Sequence, residues 1–178
     1  DRTLPIVQGF PVQWRQRPFD DFASNKNWAL ENLSFSNEWL LILDADEFVP
    51  EELKREIEGI LKGDGNGYAG FYVNRRVYFL RKWLKHCGWY PNWNLRLFRY
   101  PLGRYEDRKV HEHLVLKGKA GYLKNDLIHE DQRDLTEWIA RHNRFSFLEA
   151  EERLATLSRL KETGFPGSLL GGPIERRR

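Results

Sequence analysis

Methionine is absent from the 178-residue chain, so no initiator methionine is present. The start of the chain, Asp1–Pro5, also lacks a charged segment followed by an apolar stretch, the combination that marks a secretory signal peptide. We therefore expect the chain to be a piece of a longer protein or the product of processing.

Cysteine and long hydrophobic runs are also scarce. Cys87 is the single cysteine, which excludes an intramolecular disulfide framework and a cysteine-based zinc finger. A lone free thiol is compatible with a reducing compartment. The longest apolar run, Trp39–Leu43, is far shorter than the roughly 18 residues that a membrane-spanning helix needs.

Neither sign of charge dominates. The 29 basic and 26 acidic residues leave a formal net charge of +3, which is too small a bias for a dedicated nucleic-acid binder. We therefore expect no nucleic-acid partner. An aromatic content of 14% argues against disorder, and the length suits one domain with a core of its own.

Three segments have apolar residues at helical spacing, and they are residues 20–33, 50–62 and 134–161. Asp21 and Asp134 are available as N-caps of the first and third helices. Pro50, followed by two acids, stands where proline and negative charge favour a helix start. The sequence therefore predicts helices before and after its acidic segment and one long helix near its end.

Segments rich in apolar, β-branched and aromatic residues predict strands at residues 39–43, 68–80, 94–100, 110–116 and 120–129. Shorter strands are expected at 6–7 and 11–12. The continuous apolar run Trp39–Leu43 is typical of a buried strand in the middle of a parallel or mixed sheet. Strands mixed with helices indicate an α/β layered sheet. We expect one domain over residues 1–162 and a basic tail over 163–178.

The leading candidate site is Asp44-Ala45-Asp46, at the end of that apolar run. In an extended segment the two carboxylates point the same way and repel each other, and a divalent cation would relieve this repulsion. Mg²⁺ and Mn²⁺ favour such oxygens together with phosphate oxygens. The alternative is a solvated strand end followed by acids that cap a helix.

Histidines form the second candidate. His111 and His113 flank Glu112, and in a strand both would face one side while Glu112 faces the other. Together with His129 they could form a three-histidine zinc site. Alternatively, Glu112 is a general base with the histidines beside phosphate or metal. A polar sheet face with exposed histidines remains the third interpretation.

A basic and aromatic segment around Gly88 is the third candidate, and it contains Lys82, Lys85, His86, Trp89, Tyr90 and Trp93. Its rings could stack on sugars and its charges could hold phosphates. It could equally bind single-stranded nucleic acid, or be a surface loop whose rings are partly tucked into the core.

The segment Trp39–Pro50 resembles the Asp-X-Asp region of family 2 glycosyltransferases with a GT-A fold, in which "LDADE" follows a buried strand. Further segments resemble that family in the same order along the chain, and they are residues 22–30, 88–99, 109–113, 128–129 and 135–146. The nearest subgroup is formed by bacterial enzymes that build lipopolysaccharide core or similar envelope glycans. The family's N-terminal nucleotide-binding part has no counterpart here, so the resemblance implies a partial GT-A-like mixed sheet flanked by helices.

The resemblance implies roles for individual residues. Asp46, helped by Asp44, would hold Mn²⁺ or Mg²⁺ against the diphosphate of the donor, and His129 would be a third ligand. Glu112 would deprotonate the acceptor hydroxyl in a single, inverting displacement, with Glu106 and Asp107 as rival bases. Ala45, Lys26 and His111 would also bind the donor. The acceptor would be bound by Gly88, Trp89, Trp93 and Arg96.

The same resemblance implies partners and a location. The donor would be a nucleotide sugar, with a UDP-sugar expected, and the acceptor a glycan or glycolipid. The enzyme would work in the cytoplasm, at the inner face of the plasma membrane, with peripheral membrane contact. Two other functions stay open, namely a zinc hydrolase based on the histidines and a fragment that binds polyanions or glycans without catalysis.

Overall fold

A computed structural model describes residues 2–106 and 113–163 of the chain. The α-helices of this part are α1 (Thr3–Gln8), α2 (Phe22–Asn32), α3 (Glu51–Lys62) and α4 (Leu135–Thr163), and a short 3₁₀ turn covers Asp64–Gly67. The strands are β1 (Trp39–Leu41), β2 (Glu47–Phe48), β3 (Gly70–Phe79), β4 (Lys82–Trp83), β5 (Trp93–Arg99), β6 (Gly103–Tyr105), β7 (Leu114–Leu116), β8 (Ala120–Tyr122) and β9 (Leu127–Asp131).

The long strand β3 organises a mixed sheet. The strand order is β1-β5-β3-β9-β2, and β4 and β8 also pair with β3. Strands β8 and β9 run parallel to β3, whereas β4 and β5 run antiparallel to it. Strands β6 and β7 form a separate antiparallel pair. The expected α/β architecture with a mixed sheet and flanking helices is confirmed, and it is compatible with a GT-A-like fold.

Helix α3 covers one face of the sheet. Its buried side chains Leu53 and Ile57 pack against Phe71 and Val73 of β3, together with Leu97, Leu123 and Leu127. Pro50 is the N-cap, and the acids Glu51 and Glu52 stand in the first turn, where they favour the helix dipole. This amphipathic helix was predicted from the sequence, with a start one residue later than expected.

Helix α2 and the β6–β7 pair cover the second apolar cluster, whose buried members are Ala23, Leu30, Leu95, Phe98, Tyr105 and Leu114. The side chain of Asn27 ties the two elements together, since it donates to the Tyr105 carbonyl at 3.0 Å and accepts from the Tyr105 N–H at 2.9 Å. Asp21 caps the helix as predicted, because its carboxylate accepts from the Ser24 N–H at 2.7 Å.

The prediction of a buried central strand at residues 39–43 is wrong. Strand β1 has three residues, all half-buried, and it lies at the edge of the sheet, antiparallel to β5. Its continuous apolar pattern has a different cause. Trp39 and Leu41 pack against the α3 cluster, whereas Leu40 and Ile42 pack against the α2 cluster. Both faces of this edge strand are therefore covered.

Two other expectations need correction. Residues 6–7 and 11–12 were expected to be strands, but α1 covers Thr3–Gln8 and residues 11–12 have no regular structure. Pro5 sits in the first turn of α1, where a missing N–H costs no hydrogen bond. The strand expected over 120–129 is divided into β8 and β9. No helix in the described ranges is long and apolar enough to cross a membrane.

Candidate active site

The segment Asp44–Glu47 forms a tight turn between β1 and β2, here called the acid turn. The Glu47 N–H donates to the Asp44 carbonyl at 3.0 Å, and the Asp44 N–H donates to Glu47 Oε2 at 2.9 Å. The expectation of an extended Asp44-X-Asp46 segment is therefore wrong. Because the backbone turns here, the two aspartates meet different partners.

Asp44 is held by cations. Its Oδ2 accepts from Arg96 Nη2 at 2.8 Å, and its Oδ1 lies 3.6 Å from Lys26 Nζ of α2. Burial acts to raise the pKa of Asp44, but the charges of Arg96 and Lys26 outweigh it and hold the pKa below its usual value. Asp44 therefore stays ionised, and its charge is already compensated by protein groups.

Glu47 is the central carboxylate of the site, and the sequence analysis gave it no role. Its side chain is fully buried, accepts from Arg96 Nη2 at 2.5 Å and lies 3.3 Å from Arg75 Nη1. Burial acts to raise the pKa of Glu47, but the nearby His129 ring and Arg96 guanidinium lower it below its usual value. A buried acid with two arginine partners fixes the shape of the acid turn.

A β-bulge explains how Arg96 reaches this position. Phe71 pairs with Leu97 and Tyr72 pairs with Leu95, so Arg96 is the extra residue on β5. Such bulges change the direction of a side chain. Arg96 was expected on the acceptor side, but the structure places its guanidinium, 6% exposed, beneath the acid turn as the partner of Asp44 and Glu47.

Asp46 differs from Asp44, because no hydrogen bond to its carboxylate is found among the described residues. Its side chain is 33% exposed, with Oδ1 3.7 Å from His129 Nδ1 and Oδ2 3.7 Å from Arg133 Nη2. Both distances exceed hydrogen-bond length. His129 lies on β9 opposite Glu47 of β2, and this pairing brings its ring to the acid turn. The structure therefore brings Asp46 and His129 together, as expected.

Three arginines lie near the acid turn, namely Arg75 of β3, Arg133 just before α4 and Arg141 of α4. Arg133 donates through Nε to Asp131 Oδ1 at 2.7 Å, and Arg141 Nη1 lies 3.9 Å from Asp131 Oδ2. Burial, followed by the positive charges of Arg133 and Arg75, lowers the pKa of Arg141. We call Arg75, Arg133 and Arg141 the arginine cluster.

Among the described residues, three buried side-chain nitrogens of this region have no hydrogen-bond partner, namely Arg75 Nε, Arg96 Nε and His129 Nδ1. A buried donor without a partner is costly, and most such groups in proteins are satisfied. The acid turn therefore has nitrogens without hydrogen bonds close to the positive charges of the arginine cluster. An anion with several oxygens would satisfy both features.

The donor set also fits a hard divalent cation. Mg²⁺ commonly uses one or two carboxylates and completes its coordination with water and substrate phosphate. Asp46 supplies an accessible carboxylate and His129 a ring nitrogen without a hydrogen bond. Within the described ranges, no group of three or more His, Cys, Asp or Glu side chains is placed to hold a metal by itself. An ion bound here would therefore need ligands beyond these two side chains.

Several predicted residues are not placed by the described part of the chain. His111, Glu112 and the rival base Asp107 lie outside it. Glu106 is half-buried, and its N–H donates to the carbonyl of His113, whose side chain is exposed. The three-histidine zinc interpretation gains no support from the residues that are described.

The predicted acceptor residues of the aromatic segment belong to separate ring clusters. Trp89 lies 6.3 Å from the ring of His142 of α4, which in turn stacks on Trp138 at 3.8 Å. Trp93, on β5, instead contacts Tyr122 of β8 edge-on at 5.0 Å. Gly88 is exposed with a φ of +80°, a backbone conformation that glycine adopts without strain.

A buried carboxylate that the sequence analysis did not identify anchors this segment. Asp126 accepts from Arg76 Nε at 2.6 Å, from Asn74 Nδ2 at 2.9 Å and from the Tyr90 hydroxyl at 3.1 Å. Asn74 Oδ1 in turn accepts from the Asn92 N–H at 2.7 Å. The aromatic segment is therefore fixed to β3 by a satisfied polar network rather than by apolar packing alone.

Comparison with known proteins supports a similarity to glycosyltransferases. No protein-family model matches the chain. The chain is 31% identical over 161 residues to the lipopolysaccharide core biosynthesis glycosyltransferase LpsC of Rhizobium meliloti (strain 1021). The match covers 86% of this chain and 58% of LpsC, so the chain spans little more than half of that relative. It includes most of the described fold.

Proposed function

We propose that the chain is the catalytic part of an inverting, metal-dependent glycosyltransferase of family 2. It would move a sugar from a nucleotide-sugar donor to an envelope glycan or a lipid-linked acceptor. The observation that carries the proposal is the accessible Asp46 carboxylate, set beside His129 and the arginine cluster. The similarity to LpsC supports the same class of reaction.

The diphosphate of the donor would bind against the arginine cluster. Guanidinium groups match phosphate oxygens in charge and geometry. Arg75 Nε is a buried donor that has no hydrogen-bond partner within the described ranges. Lys26, expected to contact the donor, stands beside Asp44 and adds positive charge at the other end of the acid turn.

A divalent ion, Mn²⁺ or Mg²⁺, would be held by Asp46 and His129. When bound, such an ion neutralises charge that develops on the leaving diphosphate. Asp44 was expected to help Asp46 hold the ion, but Arg96 already binds its Oδ2 and Lys26 lies 3.6 Å from its Oδ1. Its role in this proposal is to keep the turn in shape so that Asp46 faces outward.

The base in this proposal is Glu112, which takes the proton from the acceptor hydroxyl as that oxygen attacks the anomeric carbon. One base and one displacement give inversion, and no second carboxylate is needed to protonate the leaving group, unlike in glycoside hydrolysis. This assignment rests on the resemblance of residues 109–113 to the family. Glu106 and Asp107 are the alternatives that mutagenesis would have to exclude.

Further details of the proposal follow from the resemblance. The donor is a UDP-sugar, and the acceptor is a glycan or glycolipid of the cell envelope. The reaction takes place in the cytoplasm at the inner face of the plasma membrane, with peripheral membrane contact. Trp89 and Gly88 would lie along the path of the acceptor, and the Asp126 network holds the neighbouring residues Tyr90 and Asn92 in place.

The proposal is tested by release of nucleoside diphosphate from a panel of nucleotide sugars. Asp46→Asn should lower metal-dependent release by roughly 100-fold or more, because it removes the metal-binding charge. The matched control is Asp20→Asn, since Asp20 is 58% exposed and paired with Arg17 away from the acid turn. Equal activity of the two variants would contradict the assignment of Asp46.

A further inference from the structure

Two exposed aromatic side chains meet on the surface of the sheet. Tyr122 of β8 is 64% exposed and Trp93 of β5 is 42% exposed, and their rings contact each other at 5.0 Å and 87°. Tyr72 of β3 stacks on Tyr122 at 5.1 Å and 20°. We call these three side chains the aromatic platform, and the sequence analysis singled out Trp93 alone among them.

The strands hold the platform in place. Tyr72 and Tyr122 are register partners in the parallel β3–β8 pair, and Trp93 is opposite Asn74 on the other side of β3. All three rings therefore stand on strands of one sheet rather than on loops. A rigid aromatic surface loses little conformational entropy when a ligand covers it.

The exposed area suits a small ligand. With roughly 200 Å² of surface for each aromatic side chain, exposed fractions of 42% and 64% leave about 200 Å² of ring surface free. A stable protein interface needs about 800 Å² from each partner. Taken alone, the platform matches a ring-sized ligand better than it matches a protein surface.

The platform shares strand β5 with the arginine that holds the acid turn. Trp93 and Arg96 are three residues apart on β5, which corresponds to about 10 Å at the rise of an extended strand. Arg96 binds Asp44 and Glu47 of the turn. A sugar chain that places one hydroxyl at the acid turn would therefore reach the platform within one or two sugar units.

We infer that the platform is a glycan subsite, on which a pyranose ring of the acceptor stacks one or two units away from the reacting sugar. The inference rests on the proposed function and extends it to Tyr72 and Tyr122. An aromatic face binds the apolar face of a pyranose, while the tyrosine hydroxyl and the indole N–H can pair with its hydroxyl groups.

The test is equilibrium binding of a lipopolysaccharide core oligosaccharide, freed from lipid, measured by calorimetry without any donor. Tyr122→Ala and Trp93→Ala should each raise the Kd about tenfold, whereas Tyr122→Phe, which keeps the ring, should change it less than threefold. Phe147→Ala is the control, since Phe147 is 66% exposed on α4. Thermal melting confirms that each variant folds.

The outcomes separate this inference from the proposed function. An unchanged Kd in both alanine variants, or no binding by the unaltered chain, overturns the subsite whatever the catalytic result. If Tyr122→Ala also weakens binding of a heparin fragment tenfold, the platform is a general polyanion contact and the glycan assignment is wrong. If Asp46→Asn keeps full transfer while the alanine variants lose oligosaccharide, the catalytic assignment fails and the subsite stands.

Discussion

Replacing Arg96 by alanine tests the electrostatic account of the acid turn. The change removes the guanidinium that contacts Glu47 at 2.5 Å and Asp44 at 2.8 Å. Asp44 is partly exposed and can regain water, but the Glu47 side chain is fully buried and cannot. Glu47 would keep Arg75, at 3.3 Å, as its remaining charged partner.

The magnitude follows from that burial. Removing one partner of a buried ion pair costs about 3–5 kcal/mol, and the remaining Arg75 contact places Arg96→Ala near 3 kcal/mol. For a chain of this length, a loss of this size lowers Tm by roughly 6–12 °C. The free energy of unfolding should be measured by urea denaturation, with the slope compared between variants to confirm a common unfolded state.

The double variant Arg96→Ala with Glu47→Gln is the decisive comparison. Arg96→Ala leaves the buried charge of Glu47 without its main partner, and Glu47→Gln removes that charge. The double variant should therefore lose less stability than the two single losses added together. Strict additivity of the two losses would refute the reasoning. So would a loss below about 1 kcal/mol for Arg96→Ala, the range of an exposed ion pair.

Three further predictions concern other parts of the site. Asp44→Asn should destabilise the chain more than Asp46→Asn in urea denaturation, since only Asp44 has a side-chain hydrogen bond to a buried arginine. Tyr90→Phe should cost about 1 kcal/mol, because it removes one hydrogen bond to Asp126. Burial and then Asp126 raise the pKa of Tyr90 above its usual value of 10.0. The protonated Tyr90 hydroxyl therefore stabilises the folded chain fully below pH 10.0, and this contribution to the free energy of unfolding is lost as the pH rises through the higher pKa of the folded state. Tyrosinate absorbance should therefore show one late-titrating tyrosine that Tyr90→Phe removes, and its persistence in that variant would contradict the assignment.

Local chemistry explains which elements the sequence could predict. Asp21 and Asp134 accept hydrogen bonds from the N–H groups of Ser24 and Glu137, as their positions before the helices implied. Such caps depend on neighbours three residues away and are therefore visible in sequence. The aromatic and β-branched content of β3 and the amphipathic pattern of α3 are equally local.

Long-range pairing explains what the sequence could not show. The run Trp39–Leu43 is apolar on both faces, and this pattern cannot distinguish an edge strand covered by two clusters from a central strand. The bulge that aims Arg96 at Glu47 depends on the register between β3 and β5. Neither feature leaves a signal in the spacing of residues.

The residues of the candidate site were likewise predicted only in part. Asp46 and His129 were named from the motif and the resemblance, and the β2–β9 pairing brings them together. Glu47, Arg75 and the arginine cluster were missed because charged residues at such positions usually lie in solvent. Glu47 becomes buried, and the arginines come together beside the acid turn, only when β2, β3, β5 and α4 pack together.

The measurement that tests the central claim most directly is nucleoside diphosphate release from nucleotide sugars in Mn²⁺ and in EDTA. It should be made on this chain and on any longer protein that contains it, each with and without Asp46→Asn. The account predicts release that needs the metal and is lost with Asp46→Asn. Release that is undiminished in EDTA, or retained by Asp46→Asn, would contradict it.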